Sequence, residues 1–214
     1  MRPTDGTTGG VAMSDADGAG LWETPLPELS AFESADPHEA LAREHGGPDV
    51  LLALLAKSTV EARKTYTMWA FSETHGEASE LFARAADRQQ KHAELCRYHL
   101  PSDPPSGPSN AMFQFVRDRD STTERLAAGV VARSLVTGRS CRGIRDVYAT
   151  ADREAVTEVL TEIEQDLDEF GARGVDLLER ICETRADLRT ARETAAETIR
   201  IAHEGLERID EGGP

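Results

Sequence analysis

The stretch Thr59-Val-Glu-Ala-Arg-Lys-Thr-Tyr-Thr-Met-Trp69, followed by Ala86-Asp-Arg-Gln-Gln-Lys-His-Ala-Glu-Leu95, decides how this chain folds. Small and apolar residues recur in both stretches at steps of three and four, which is the spacing of one face of an α-helix. Gly76 lies between them and is expected to separate two helices. We therefore predict one helix over about 48–75 and a second that ends near residue 99, packed against each other.

Each predicted helix has one stripe that should face inward. On the first helix the stripe is Leu52, Leu55, Thr59, Ala62, Tyr66, Trp69 and Glu73; on the second it is Phe82, Ala85, Gln89, His92, Cys96 and His99. The neighbouring stripe of the first helix, which includes Glu61 and Thr65, is more polar and is expected to face water.

A proline-rich segment, Pro101-Ser-Asp-Pro-Pro-Ser-Gly-Pro-Ser-Asn110, follows the first helix pair. Proline lacks the backbone N–H that a helix interior or a central strand requires. With the short apolar segment 111–116, it forms a connection of about twenty residues, whereas links between bundle helices usually need about 2–8. The length indicates a crossover that returns the chain to the other end of the helix pair.

Helical patterns continue to the end of the chain. Ser121-Thr-Thr-Glu124 has the form of a capping box and should begin a third helix that reaches about residue 149. A fourth helix is expected over about 152–182, and an amphipathic fifth over about 184–209. Asp36-Pro37 opens a short helix near the N-terminus. No segment alternates with period two, so the predicted fold class is all-α: a four-helix bundle with a long crossover, a short N-terminal helix and an extra C-terminal helix.

Three regions follow from these patterns. Residues 1–35, rich in Gly, Thr, Asp and Pro in their first part, are expected to form a disordered leader. Residues 36–182 should form the bundle, and residues 183–214 the C-terminal helix and tail. That last helix is expected either to bind a protein partner or a second copy of the chain, or to pack back on its own bundle.

The composition narrows the range of partners and locations. The net charge is −15, which argues against nucleic acids and anionic membranes as partners because both would repel the chain. Lysine is scarce, and an acidic, lysine-poor surface suits a salt-rich cytoplasm, so we predict a cytoplasmic protein from a halophilic source. The alternative is ordinary acidity combined with biased codon usage. Three widely spaced cysteines indicate neither a disulfide framework nor a zinc site.

The run Glu61-Ala-Arg-Lys-Thr-Tyr-Thr-Met-Trp-Ala70 and the run Ala86-Asp-Arg-Gln-Gln-Lys-His-Ala93 resemble the first two helices of the rubrerythrin branch of the ferritin-like superfamily. The resemblance implies a four-helix bundle with a di-iron centre held by glutamates and by Glu-x-x-His pairs. Aligned with the family, this chain has Thr59 where the first metal-binding glutamate stands, and Gln89 with His92 where the second helix has Glu-x-x-His.

The remaining helices do not restore the missing ligands. From Arg125 to Arg145 the third helix contains no acid, and the fourth contains no histidine. One imidazole and one amide cannot hold two irons, so the standard di-iron site is expected to be absent. In its place we predict a polar core of Thr59, Tyr66, Gln89 and His92, with no catalytic or cofactor-binding residue. The third-helix arginines are expected either to pair with acids of the fourth helix or to bind an acidic partner.

The sequence therefore favours a non-catalytic structural or interaction module. One alternative is an oxidoreductase-type protein with a remodelled iron or manganese site, in which Glu61 or Glu164 joins His92. Another is a bundle that binds a small molecule beside Tyr66 and Trp69.

Overall fold

The computed structural model describes residues 28–104, 109–151 and 153–210, and within these ranges every regular element is a helix. The prediction of an all-α fold is confirmed. In chain order the helices are α1 Glu28–Glu33, α2 Asp36–Glu44, α3 Asp49–Ser72, α4 Gly76–Tyr98, α5 Ala111–Arg117, α6 over 122–150, α7 Glu154–Ile181 and α8 Arg185–Asp210. Helix α6 consists of an opening turn Thr122–Arg125, a wider π-helical segment Leu126–Ala132 and the α-helix Arg133–Thr150.

Helices α3, α4, α6 and α7 form the centre of the protein. Helix α3 packs along α4, and α6 packs along α7, each pair joined by a link of about three residues. Helices α4 and α7 run antiparallel, since Arg88 near the middle of α4 pairs with Asp166 of α7, whereas Glu77 at the start of α4 pairs with Arg180 at the end of α7. Helices α3 and α6 are also antiparallel.

The segment between α4 and α6 runs from one end of the α3–α4 pair to the other. At one end, Arg153 donates to the carbonyl oxygen of His99 at 3.4 Å. At the other end, Arg125 in the first turn of α6 pairs with Glu73 just after α3 at 3.2 Å. On the way, the Ser109 hydroxyl donates to Glu61 at 2.6 Å. Helix α6 therefore starts at the end of the molecule opposite to the one where α4 finishes.

The crossover also changes the environment of the polar stripe on α3. Helix α5 lies over this stripe, so Thr65 is buried and the Glu61 side chain is 12% exposed. The prediction that these two residues face water was wrong, because the crossover supplies Arg117 and Ser109 as their partners. The predicted apolar stripe of α3 is buried from Leu52 to Trp69.

The two ends of the chain are partly described. Residues 1–27 lie outside the described residues, but residues 28–33 form a helix in which Leu29 and Phe32 are buried. The predicted disordered leader, 1–35, therefore includes residues 28–33, which are helical. Helix α8 packs back on the bundle and buries Leu188 and Ile199 against it. In the part of the chain that the structure describes, no helix has the length and apolar character to cross a membrane.

Candidate functional site

The centre of the helix pairs contains a cluster of polar side chains. Gln89 and His92 lie one turn apart on the inner face of α4, and both are buried. Arg133 of α6 reaches them from the other pair: its Nη2 donates to Oε1 of Gln89 at 2.7 Å. The arginine is 1% exposed, although it carries a charge. Its depth sets this cluster apart from the surface ion pairs.

His92 connects this cluster to the surface through Asp166. Its Nε2 lies 2.9 Å from Oδ2 of Asp166. The other carboxylate oxygen of Asp166, Oδ1, accepts a hydrogen bond from Arg88 at 2.6 Å. A carboxylate accepts hydrogen bonds, so the hydrogen of the neutral ring is on Nε2 and the lone pair is on Nδ1. Burial, partly offset by Asp166, lowers the pKa of His92 below its ordinary value of 6.5. The ring is therefore neutral at pH 7.

Thr59 and Tyr66, the other members of the predicted polar core, donate hydrogen bonds to backbone carbonyl oxygens. The Thr59 hydroxyl donates to the carbonyl oxygen of Ala56 on its own helix at 2.7 Å. The Tyr66 hydroxyl donates to the carbonyl oxygen of Gly129 in the π-helical segment. All four predicted residues are buried, but Thr59, Gln89 and His92 each bond to a residue outside the predicted polar core. For Gln89 and His92 these partners are the charged residues Arg133 and Asp166.

Sequence reasoning missed the depth of Arg133, although the helix pattern contains the signal. The residues seven and three positions before it and four and eight after it are Leu126, Val130, Thr137 and Cys141, and all are buried. At this spacing Arg133 lies on the buried face of α6. An arginine in the middle of such a face should be read as a buried cation.

The remaining arginines of α6 behave differently. Arg125 pairs with Glu73, Arg139 pairs with Glu33, and both Arg142 and Arg145 pair with Glu164. The alternative in which these side chains pair with acids of the fourth helix therefore holds for Arg142 and Arg145, whereas Arg125 and Arg139 pair with acids of other segments. Arg133 is the exception: among the described residues no carboxylate lies within ion-pair distance of it.

The proposed residual metal ligands are held apart. Glu61 bonds to Ser109, Lys64 and Arg117, which together lower its pKa to about 2. Glu164 is held by Arg142 and Arg145, and His92 by Asp166. Within the described ranges, no group of three or more His, Cys, Asp or Glu side chains is arranged to hold a metal ion.

The π-helical segment is shaped by aromatic packing. Tyr66, Trp69 and Phe82 form one aromatic cluster. Trp69 lies so close to Gly129 that a Cβ on this residue would overlap the indole ring. The wider turns of a π-helix shift the backbone away from ideal α-helical positions. The glycine and the wider turns together let α6 accommodate the indole and place a carbonyl against Tyr66.

An apolar groove lies apart from this cluster. It has a volume of about 510 Å³ and runs between α3, α6 and α8. Its lining includes Leu55, Phe113, Val136 and Leu206, with Lys57 and Glu61 at its polar edge. Tyr66 and Trp69, beside which a small-molecule pocket was predicted, do not line it.

No protein-family model, no curated protein and no solved structure matches this chain.

Proposed function

We propose that this protein is a metal-free relative of the rubrerythrins with a ferritin-like bundle, and that it acts as a structural or interaction module rather than as an enzyme. The observation that carries the proposal is the hydrogen bond from Arg133 to Gln89. Gln89 aligns with a metal-binding glutamate of that family, and a guanidinium, itself a cation, takes the place of the metal beside it.

The connectivity of the helices supports the ferritin-like part of the proposal. In a ferritin-like bundle, a short link joins the two antiparallel helices of each pair, and one long crossover joins the two pairs. In this chain the crossover runs from His99, beside Arg153, to Arg125, beside Glu73. Helices α4 and α6 consequently run in the same direction.

The residues at the expected ligand positions do not fit two irons. A di-iron centre needs several carboxylates to bridge the cations and offset their charge. Here Thr59 and Gln89 are neutral, Arg133 adds a positive charge, and Asp166 is shared by His92 and Arg88. A dication placed beside Arg133 would be repelled by it.

The groove supports the interaction part of the proposal. Its wall is largely apolar and combines α3, α6 and the second half of α8, so α8 contributes to a binding surface while it packs on its own bundle. Deep, mostly apolar clefts with a few polar groups are the usual form of ligand sites. A small-molecule ligand is therefore the second candidate function, located in this groove.

The metal content of the purified chain tests the proposal. The purified chain should contain no stoichiometric iron or manganese, and titration with Fe(II) or Mn(II) should leave its melting temperature unchanged. A value of about one metal per chain that disappears in His92→Ala would overturn the proposal in favour of a remodelled metal site. A co-purifying organic ligand, detected by native mass spectrometry and lost in Leu55→Arg, would favour the second candidate.

A further inference from the structure

Arg133 has more hydrogen-bond donors than partners. A guanidinium carries five N–H groups. In the described structure Nη2 donates to Gln89, whereas Nε and Nη1 are buried and have no hydrogen-bond partner. Buried donors left without a partner cost about 1–3 kcal/mol each, and more when the group is charged. These two donors are therefore available to an acceptor in the interior.

The charge of Arg133 is also unbalanced. It lies among the amide of Gln89, the hydroxyl and ring of Tyr66, and the ring of Phe113; both rings are about 6 Å from the guanidinium carbon. Tyr66 is neutral, because burial raises the pKa of its hydroxyl more than the Arg133 guanidinium beside it lowers this pKa. Arginine does not lose its proton inside proteins. An isolated charge in a low-dielectric interior is far less stable than one that is paired.

The nearby acid does not provide this balance. Asp166 is the acid of the cluster, and it already faces Arg88 and His92. With His92 neutral, the group formed by Arg88, Asp166 and Arg133 carries one net positive charge. One additional negative charge would neutralise the cluster.

From these two observations we infer that Arg133 binds a small monoanion in the interior between α4 and α6. The ligand class is a halide or a carboxylate of one or two carbons. The charge of the cluster sets the valence, because a dianion would leave one negative charge in excess. Burial limits the size, because Arg133 is 1% exposed and the ring of Phe113 lies about 6 Å from its guanidinium carbon.

Binding in the interior would couple the anion to folding. An anion that binds the folded chain and not the unfolded one stabilises the fold by RT ln(1 + [L]/Kd). This effect differs from general screening of the −15 charge, which depends on ionic strength and not on the identity of the anion. The inference is independent of the family proposed above, since a metal-free bundle without an anion would satisfy that proposal as well.

The test exchanges anions at constant ionic strength. Unfolding of the full chain is measured in about 1 M sodium salt. Gluconate, a larger anion than the proposed ligands, is replaced stepwise by chloride and, in a parallel series, by formate. Once the concentration of the free anion exceeds its Kd, we expect each further tenfold rise in that concentration to raise the folding equilibrium constant about tenfold. The chloride series and the formate series distinguish a halide from a small carboxylate. Wild-type protein with no dependence on either anion would overturn the inference.

Two variants locate the effect. Arg133→Met should lose the anion dependence, whereas Arg142→Met, which removes an arginine of the same helix that has Glu164 as its partner, should keep it. If Arg133→Met does not fold, Gln89→Glu provides an internal carboxylate and should also abolish the dependence. A slope retained in Gln89→Glu would refute the site. Crystals soaked in bromide without an anomalous peak within about 3.5 Å of the guanidinium nitrogens would exclude a halide as the ligand.

Discussion

Oε1 of Gln89 lies 2.7 Å from Nη2 of Arg133, so an amide of α4 accepts a hydrogen bond from a buried cation that crosses the interior from α6. This contact joins the two helix pairs at the level of His92, one turn further along α4. The same contact determines which group a glutamate at position 89 would bind.

We expect Gln89→Glu to create an ion pair with Arg133 and not a metal site. Because the guanidinium is already buried, the new carboxylate should raise the free energy of unfolding by about 1–3 kcal/mol at pH 7. The gain should disappear on acidification, when the carboxylate takes up a proton. Denaturant unfolding at several pH values measures it, with Gln165→Glu on the exposed face of α7 as the control. Stoichiometric iron in Gln89→Glu would contradict the expectation.

Tyr66→Phe removes the hydroxyl that donates to the Gly129 carbonyl and leaves the ring in place. The carbonyl would then be buried without this partner, so we expect a loss of about 1–3 kcal/mol in stability. Hydrogen exchange should increase within residues 126–132. Tyr98→Phe, on a side chain that is 85% exposed, should change stability by less than about 0.5 kcal/mol. Equal effects of the two substitutions would show that the bond to Gly129 does not stabilise the fold.

Helix positions could be predicted well from the sequence because local signals determine them. The capping box at Ser121 and the breaks near Gly76 and the proline-rich segment lie at the observed helix ends, and the buried stripe of α3 follows the three-and-four spacing. These features depend on residues that are close in sequence, so a pattern is enough to locate them.

Contacts between distant segments could not be predicted in the same way. Glu61 was predicted to face water because nothing in its own helix indicates that it is buried. Its partners Ser109 and Arg117 belong to a segment about fifty residues later in the chain. The bonds of Gln89 and His92 likewise depend on residues of α6 and α7. The π-helical segment likewise has a distant neighbour, since its Gly129 lies against Trp69 of α3.

Gly129→Ala tests the close approach of α3 and α6. The added methyl group would overlap the indole of Trp69, and overpacking of this kind costs about 1–3 kcal/mol. We expect the smaller side chain of Trp69→Leu to reduce the cost in a double-mutant cycle. Gly205→Ala is the matched control: its Cβ would meet no atom within 4 Å, so it should stabilise α8 by about 0.5–1 kcal/mol. A cycle without coupling between positions 69 and 129 would contradict the packing described here.

Acidification should destabilise the protein through two buried histidines. Burial lowers the pKa of His92 and of His38, whose ring lies 3.3 Å from the carbonyl oxygen of Phe32. In the unfolded chain both rings titrate near pH 6.5. Below this pH the unfolded state binds more protons than the folded state, so the free energy of unfolding falls as pH decreases from about 6.5 toward the folded-state pKa values. Above about 6.5 the two histidines contribute no pH dependence.

The slope gives the number of protons involved. Each histidine contributes at most about 1.4 kcal/mol per pH unit, so His92→Gln should lower stability overall and also reduce the slope between pH 6.5 and pH 5. His38→Gln should reduce it further, and the double variant should lack the contribution of both rings. Denaturant unfolding across this range measures the slope, and NMR titration of the ring protons measures each pKa directly. A folded-state pKa of His92 above 6.5 would mean that Asp166 stabilises the charged ring more than burial opposes it, and the neutral ring assigned to the centre of the bundle would then be wrong.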